Sequence, residues 1–170
     1  MADSQMDLAL FLNQQYLCES LTLRQVQTLL TYTEMVSYSR HEVIADIGDV
    51  TEALFFVISG EAALYAERGG TQFEVGRMVE GELMGEMSFF DHKPRMARVV
   101  AMSDEVKLMR LSQSDYQRLR SEYPFIAVNL LEHAIVSLDH LVRRVTMDVA
   151  SFNLYMAEQA ASASKPDCEV

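Results

Sequence analysis

Between Glu34 and Ser112 the chain is a succession of short runs rich in β-branched and aromatic residues, a pattern that a purely helical architecture does not accommodate. The runs "MVSYS", "HEVIAD", "ALFFVIS", "EAALYAE", "TQFEVGRM", "ARVVAM" and "EVKLMRL" are separated by turn signals at Gly48-Asp49, Ser59-Gly60, Gly69-Gly70 and Glu80-Gly81. Short strands at that spacing predict a small antiparallel β jelly roll or barrel. Gly69-Gly70, between "ALYAER" and "TQFEV", supplies a two-residue hairpin turn.

Helical patterns flank the strands, so the predicted class is α+β: a jelly roll or barrel with short N-terminal helices and a long C-terminal helix. Residues 5–18 carry Met6, Leu8, Leu10, Phe11, Tyr16 and Leu17 and read as one or two short helices. Thr22 caps a helix to about Leu30, with Leu23, Val26, Leu29 and Leu30 on one face. Ser112 or Ser114 starts another to about Glu122, broken at Pro124. From Phe125 to about Met156 the pattern is helical throughout. Ala127, Leu131, Ala134, Leu138, Leu141 and Val145 alternate by fours and threes, the spacing of a coiled-coil seam, and Val128, Ile135 and Val142 form a second stripe at sevens. One stripe suits the chain's own barrel and the other a second copy, giving a possible homodimer through residues 127–145. The alternative is that both stripes are intramolecular core. The final segment "QAASASKPDCEV", 159–170, is small and polar and reads as a disordered tail.

The chain has 170 residues, 49% of them apolar, enough for one domain with a core. No apolar run approaches the length that spans a bilayer, and "MADSQMDLALFLNQQ" has no basic region of a signal peptide. Cys18 and Cys168 lie near opposite ends and suggest neither a disulfide framework nor a metal cluster. The expectation is a reduced, cytoplasmic protein without metal. A net charge of −11 argues against a nucleic-acid backbone as partner, because such binding runs on clustered Lys and Arg. Any anion must therefore be held by a local site.

The segment "GELMGEMSFFDHKPRMARVVA", Gly81 to Ala101, has the chemistry of such a site. Gly85 admits close approach of backbone, and "EMSFF" begins a helical turn whose free N–H groups point at an anion. Arg95 is a planar fork suited to two phosphate oxygens, and Pro94 stiffens the approach to it. Glu86 accepts hydrogen bonds and repels phosphate, so it makes sense only against a different group of the same ligand, such as a sugar hydroxyl. Together they specify a sugar phosphate. The competing reading is a structural Glu86–Arg95 salt bridge with Gly81 and Gly85 marking turns.

The stretch "GEMSFFDHKPRMARV" resembles the phosphate-binding cassette of the cyclic nucleotide-binding domains, the module of catabolite-activator-type regulators, kinase regulatory subunits and cyclic-nucleotide-gated channels. Gly85, Glu86, Ser88, Pro94, Arg95, Ala97 and Val99 match its pattern. "LTLRQVQTLL" resembles the opening helix, "GDVTEALFFVISGEAALY" the early strands, and residues 125–146 the long helix after the barrel. The resemblance implies a cyclic nucleotide-binding domain over 1–158. Arg95 would pair with the cyclic phosphate, Glu86 would accept from the ribose 2′-hydroxyl, and backbone N–H groups near Gly85, Met87 and Ala97 would complete the cradle. Phe73, Met84 and Val99 would wall the base, with Ser137, Leu138, Leu141 and Val142 as its lid. Met96 departs from the small residue the family has after the arginine and either crowds the phosphate or turns away. Met96-Ala97-Arg98 lacks the hydroxyl that accompanies cyclic GMP selectivity, which favours cyclic AMP. Arg98 should face opposite to Ala97, toward solvent.

No helix-turn-helix follows the long helix, so DNA binding in cis is not expected, nor is a membrane span. His41, His92, His133 and His140 have no paired ligand spacing, and no nucleophile–base pair suggests an enzyme. The sequence therefore points to a stand-alone sensor that takes a cyclic nucleotide as ligand, holds no cofactor, and relays a conformational change to a separate effector protein. Three rival readings remain: a scaffold for interaction or dimerisation that keeps the fold without the ligand, a truncated DNA-binding regulator, and a pocket remodelled for another nucleotide such as a cyclic dinucleotide.

Overall fold

The short runs pair into two four-stranded antiparallel sheets. In chain order the strands are β1 (Glu34–Ser39), β2 (Val43–Ala45), β3 (Ala53–Ser59), β4 (Ala62–Arg68), β5 (Thr71–Met78), β6 (Leu83–Met84), β7 (Ala97–Ala101) and β8 (Glu105–Ser112). One sheet has the order β1-β8-β3-β6 and the other β2-β7-β4-β5. The helices are α1 (Ala2–Asn13), α2 (Leu23–Leu30), α3 (Glu86–Asp91), α4 (Gln113–Glu122) and α5 (Pro124–Ala163), with a 3-10 turn at Tyr16–Cys18. This computed structural model describes residues 2–18, 20–50 and 53–163, excluding the side chains of 2–5, 16, 140, 141, 144, 145, 148, 152, 154, 155 and 157–163. The fold is α+β.

Strand β3 shows why the sheets sit where they do. "ALFFVIS" is apolar on both faces, as a strand covered on both sides must be. Phe55 and Val57 point between the sheets and pack with Ala45, Ala62, Met84, Val99, Ala101, Val106 and Leu108. Leu54 and Phe56 point the other way, into a core with Leu12, Leu17, Val26, Leu29, Phe89, Leu111, Leu119, Ile126 and Leu130. The helices thus seal one sheet from outside. Burying a Phe or Leu side chain contributes about 1.5–3 kcal/mol each, so this double core carries most of the fold's stability.

Local signals end the elements where the sequence places them. Gly69 and Gly70 both have positive φ, 60° and 77°, as the primed hairpin turn requires, and Arg68 pairs with Thr71 across it. Thr22 and Gln25 form a reciprocal capping box at the start of α2. Ser112 caps α4 by accepting from the Asp115 N–H at 3.1 Å.

The chain divides into two units, 1–134 and 135–170. In the first, the start of α5 buries Ile126, Ala127, Leu130 and Ala134 in the helical core and leaves Val128 exposed. In the second, Ile135 and Val142 are 66% and 62% exposed, and Val149 and Met156 continue the exposed series at sevens. Of the two predicted stripes, the Ala127/Ala134 one is therefore inward and the Val128/Ile135/Val142 one outward; the side chains of Leu141 and Val145 lie outside the described residues. Helix α5 runs to Ala163, into the segment read as a tail from 159, because "QAASA" has the alanines that favour helix; residues 164–170, Cys168 among them, lie outside the described residues.

Candidate functional site

The segment from β6 to β7 is folded around α3. Phe89, the fourth residue of α3, is fully buried and meets the Tyr116 ring of α4 edge-on at 5.4 Å, while Phe90 meets Tyr116 at 6.0 Å. Those aromatic contacts fix α3, and with it the residue that precedes it. Gly85 has a φ of 95°, and a Cβ added there would lie 2.8 Å from Arg95 Nη2 and 3.1 Å from the Ala53 carbonyl oxygen. The Arg95 guanidinium therefore rests directly on the Gly85 backbone, at the start of a helix whose first N–H groups have no acceptor within it. Only glycine permits this approach.

Arg95 is held from behind by its own backbone. Its N–H donates to the Asp49 carbonyl at 2.9 Å, and its carbonyl accepts from the Gly48 N–H at 2.9 Å. Burial lowers the pKa of its guanidinium, and the charges of Glu86 and Asp49 oppose that shift. Glu86 is 6% exposed, a buried carboxylate in the first turn of α3, with Ser88 buried beside it. A buried anion acceptor and a half-buried cation thus share one electrostatic environment.

Strand register identifies the face that surrounds them. Ala97 pairs with Ala66, and Ala66 with Phe73, so these three point the same way. The next pair inward, Leu64 and Val99, packs in the core between the sheets with Met84. Phe73 is exposed on the edge strand β5, whereas Met84 and Val99 are buried in the floor.

The candidates of the cassette divide by position. Gly85, Glu86 and Arg95 come together, with Ala97 and Phe73 on the inner face and Ser88 buried within α3. Met87 is exposed. Met96 is 76% exposed, and its side chain lines an outer depression with Asp46, Ile47, Glu67, Gly69 and Arg98. It does not plug the space at Arg95. Arg98 faces outward, as alternation predicts, and pairs with Asp46 at 2.7 Å. Leu138 is half-buried and Val142 exposed within the second unit; Leu141 lies outside the described side chains. Sequence reasoning did not single out Gly48 and Asp49, the backbone anchors of Arg95. Their only signal was a turn dipeptide. Among the described residues there is no cluster of His, Cys, Asp and Glu able to hold a metal, and no helix long and apolar enough to cross a membrane.

The sequence profile named cyclic nucleotide-binding domain matches residues 35–123. The "Cyclic AMP receptor protein" of Thermus thermophilus is 34% identical over 115 residues, covering 67% of this chain and 53% of the relative. The "cAMP-dependent protein kinase type II regulatory subunit" of Drosophila melanogaster is 29% identical over 83 residues, 49% of this chain and 22% of that protein. The chain thus spans about half, or less, of the length of these relatives. Among solved structures, the catabolite activator protein of Thermus thermophilus superposes with a TM-score of 0.67 at 31% identity, covering 81% of this chain and 63% of that one. A cyclic nucleotide-binding domain from Methylobacillus flagellatus gives a TM-score of 0.77 at 22% identity, covering 88% and 85%, a likeness of fold. With the matched profile spanning β1 to the end of α4 and the cassette's Gly85, Glu86 and Arg95 assembled within it, the chain belongs to the cyclic nucleotide-binding domain family.

Proposed function

We propose that this chain is a sensor that binds a cyclic nucleotide, cyclic AMP in preference to cyclic GMP, and passes the binding event on through α5. The observation that carries the reading is the Arg95 guanidinium lying on Gly85 beside the buried Glu86. In this arrangement Arg95 and backbone N–H groups around Gly85, Met87 and Ala97 take the cyclic phosphate, and Glu86 accepts from the ribose 2′-hydroxyl. The base lies along the inner face, toward Phe73, over a floor of Met84 and Val99. No hydroxyl side chain occurs at 96–98 to favour guanine.

The exposed heptad series on α5 supports a second copy of this chain as a partner. β-branched residues at Val128, Ile135, Val142 and Val149 are the choice of a two-stranded seam at one of its core positions. Relay to an effector protein then requires two helix arrangements that differ in ligand affinity, since a ligand bound equally by both shifts neither.

Titration calorimetry and thermal unfolding with cyclic AMP, cyclic GMP and 2′-deoxy cyclic AMP test the reading. A site of ~1 μM corresponds to about 8 kcal/mol of binding and raises the unfolding midpoint. The expected order is cyclic AMP, then cyclic GMP, with the deoxy analogue weakened by roughly 1.5–3 kcal/mol through the lost bond to Glu86. Absence of heat and of any midpoint shift with all three ligands would overturn it.

A further inference from the structure

Residues 46–49 form a turn on the outer face of the barrel, and among the described residues three hydrogen-bonded contacts tie that turn to the segment that carries Arg95. Arg98 donates from Nε to Asp46 Oδ1 at 2.7 Å and from Nη2 to Asp46 Oδ2 at 3.1 Å. Asp46 Oδ1 also accepts from the Ile47 N–H at 2.7 Å, and the Asp46 N–H donates to Asp49 Oδ2 at 2.9 Å. The Asp49 carbonyl and the Gly48 N–H then take the N–H and the carbonyl of Arg95. The ties run from Arg98 through Asp46 and Asp49 to Arg95 as a closed loop of chain.

From this geometry we infer that Asp46 is a positioning residue for the anion site, its two-pronged pair with Arg98 fixing the turn from which Arg95 reaches inward. The inference rests on Arg95 as the anion-binding cation. Neither Asp46 nor Arg98 faces the ligand side: Arg98 pairs across β4 with the outward Tyr65, and Asp46 lines the outer depression with Met96 and Glu67. Their effect on a ligand must therefore pass through the backbone at 48, 49 and 95. A guanidinium that meets two phosphate oxygens tolerates little displacement, so a turn that swings outward weakens the site without removing any contacting group.

Arg98 and the Ile47 N–H hold the Asp46 carboxyl below the usual carboxylate range, so the pair is ionised at neutral pH. Glu67 lies near enough to act on the Arg98 charge. An Arg98 deprived of Asp46 thus has another acid on the same face, and Asp46→Asn releases the turn while the strands stay folded.

The test uses Asp46→Asn, Arg98→Leu and the double variant, with Leu119→Val as a destabilised control remote from the turn. Two readouts are needed: the cyclic AMP dissociation constant by calorimetry, and the Nε–H resonance of Arg95 in ligand-free protein, assigned with Arg95→Lys. Each single variant is expected to weaken cyclic AMP about ten-fold. The double variant should be no worse than either, because the two residues act as one unit. The Arg95 resonance should shift or broaden in all three and stay in place in Leu119→Val. Affinity within about two-fold of wild type with an unmoved resonance overturns the inference while leaving the ligand reading intact. A resonance lost equally in Leu119→Val overturns it too, since loosened folding then explains the change. If the wild-type protein binds no cyclic nucleotide, the ligand reading falls and the Arg95 resonance alone decides for or against Asp46.

Discussion

Arg95 and Arg98 are neighbours on one strand entry, yet they live under opposite electrostatics. Arg98 stands on the outer face, and its pair with Asp46 raises its pKa. Arg95 stands on the inner face, where burial is the largest influence and lowers its pKa against the pull of Glu86 and Asp49. A cation held outside by a matched acid is committed to the fold. One held inside, in reduced contact with water, gains most from an incoming anion, because Coulomb attraction strengthens as the surroundings lose polarity. One sequence segment thus places two arginines three residues apart in opposite electrostatic settings.

The sharpest way to break that contrast is Arg95→Ala. Removing the inner cation should cost cyclic AMP binding on the order of 2–5 kcal/mol. The unfolding midpoint should fall only slightly, because the desolvation cost that alanine removes offsets the loss of the cation beside the buried Glu86. A midpoint that fell as far as for Phe89→Ala, a core truncation worth about 3–5 kcal/mol, would make Arg95 a brace like Arg98 and erase the distinction. Gly85→Ala comes next and acts on both properties. Its φ of 95° and the 2.8 Å approach to Arg95 Nη2 leave no room for a methyl group. The left-handed strain should lower stability by roughly 1–2 kcal/mol, visible in urea unfolding. The displaced guanidinium should also lower cyclic AMP affinity by about ten-fold, which backbone strain alone would not do.

Much of this was legible before any coordinates. "ALFFVIS" and "TQFEVGRM" coincide with β3 and β5, because a doubly buried strand and a glycine-closed hairpin leave strong marks in sequence. Ser112 and Thr22 announced α4 and α2 through their hydroxyls. Strand β6, Leu83–Met84, was not foreseen: two residues carry no period, and only pairing with Phe55 and Phe56 makes them a strand. The cassette residues Gly85, Glu86 and Arg95 were readable because their chemistry is odd for a loop. The backbone anchors at Gly48 and Asp49 were not, since main-chain bonds to Arg95 leave no trace in side-chain identity. Nor was the partner of Arg98, because Asp46 lies on another strand's end, 52 residues away.

The smallest expected effect belongs to Met96, and it probes the contrast at the residue where inside gives way to outside. A methionine directly after Arg95 looks obstructive in sequence. Its side chain instead leans into the outer depression beside Asp46 and Arg98. Met96→Ala should therefore change cyclic AMP affinity by no more than about 0.5 kcal/mol, the scale of an exposed substitution, and should leave the unfolding midpoint where it was. Several-fold tighter binding in that variant would mean that the methionine shadows the site. The boundary between the two faces would then run after Met96 instead of before it.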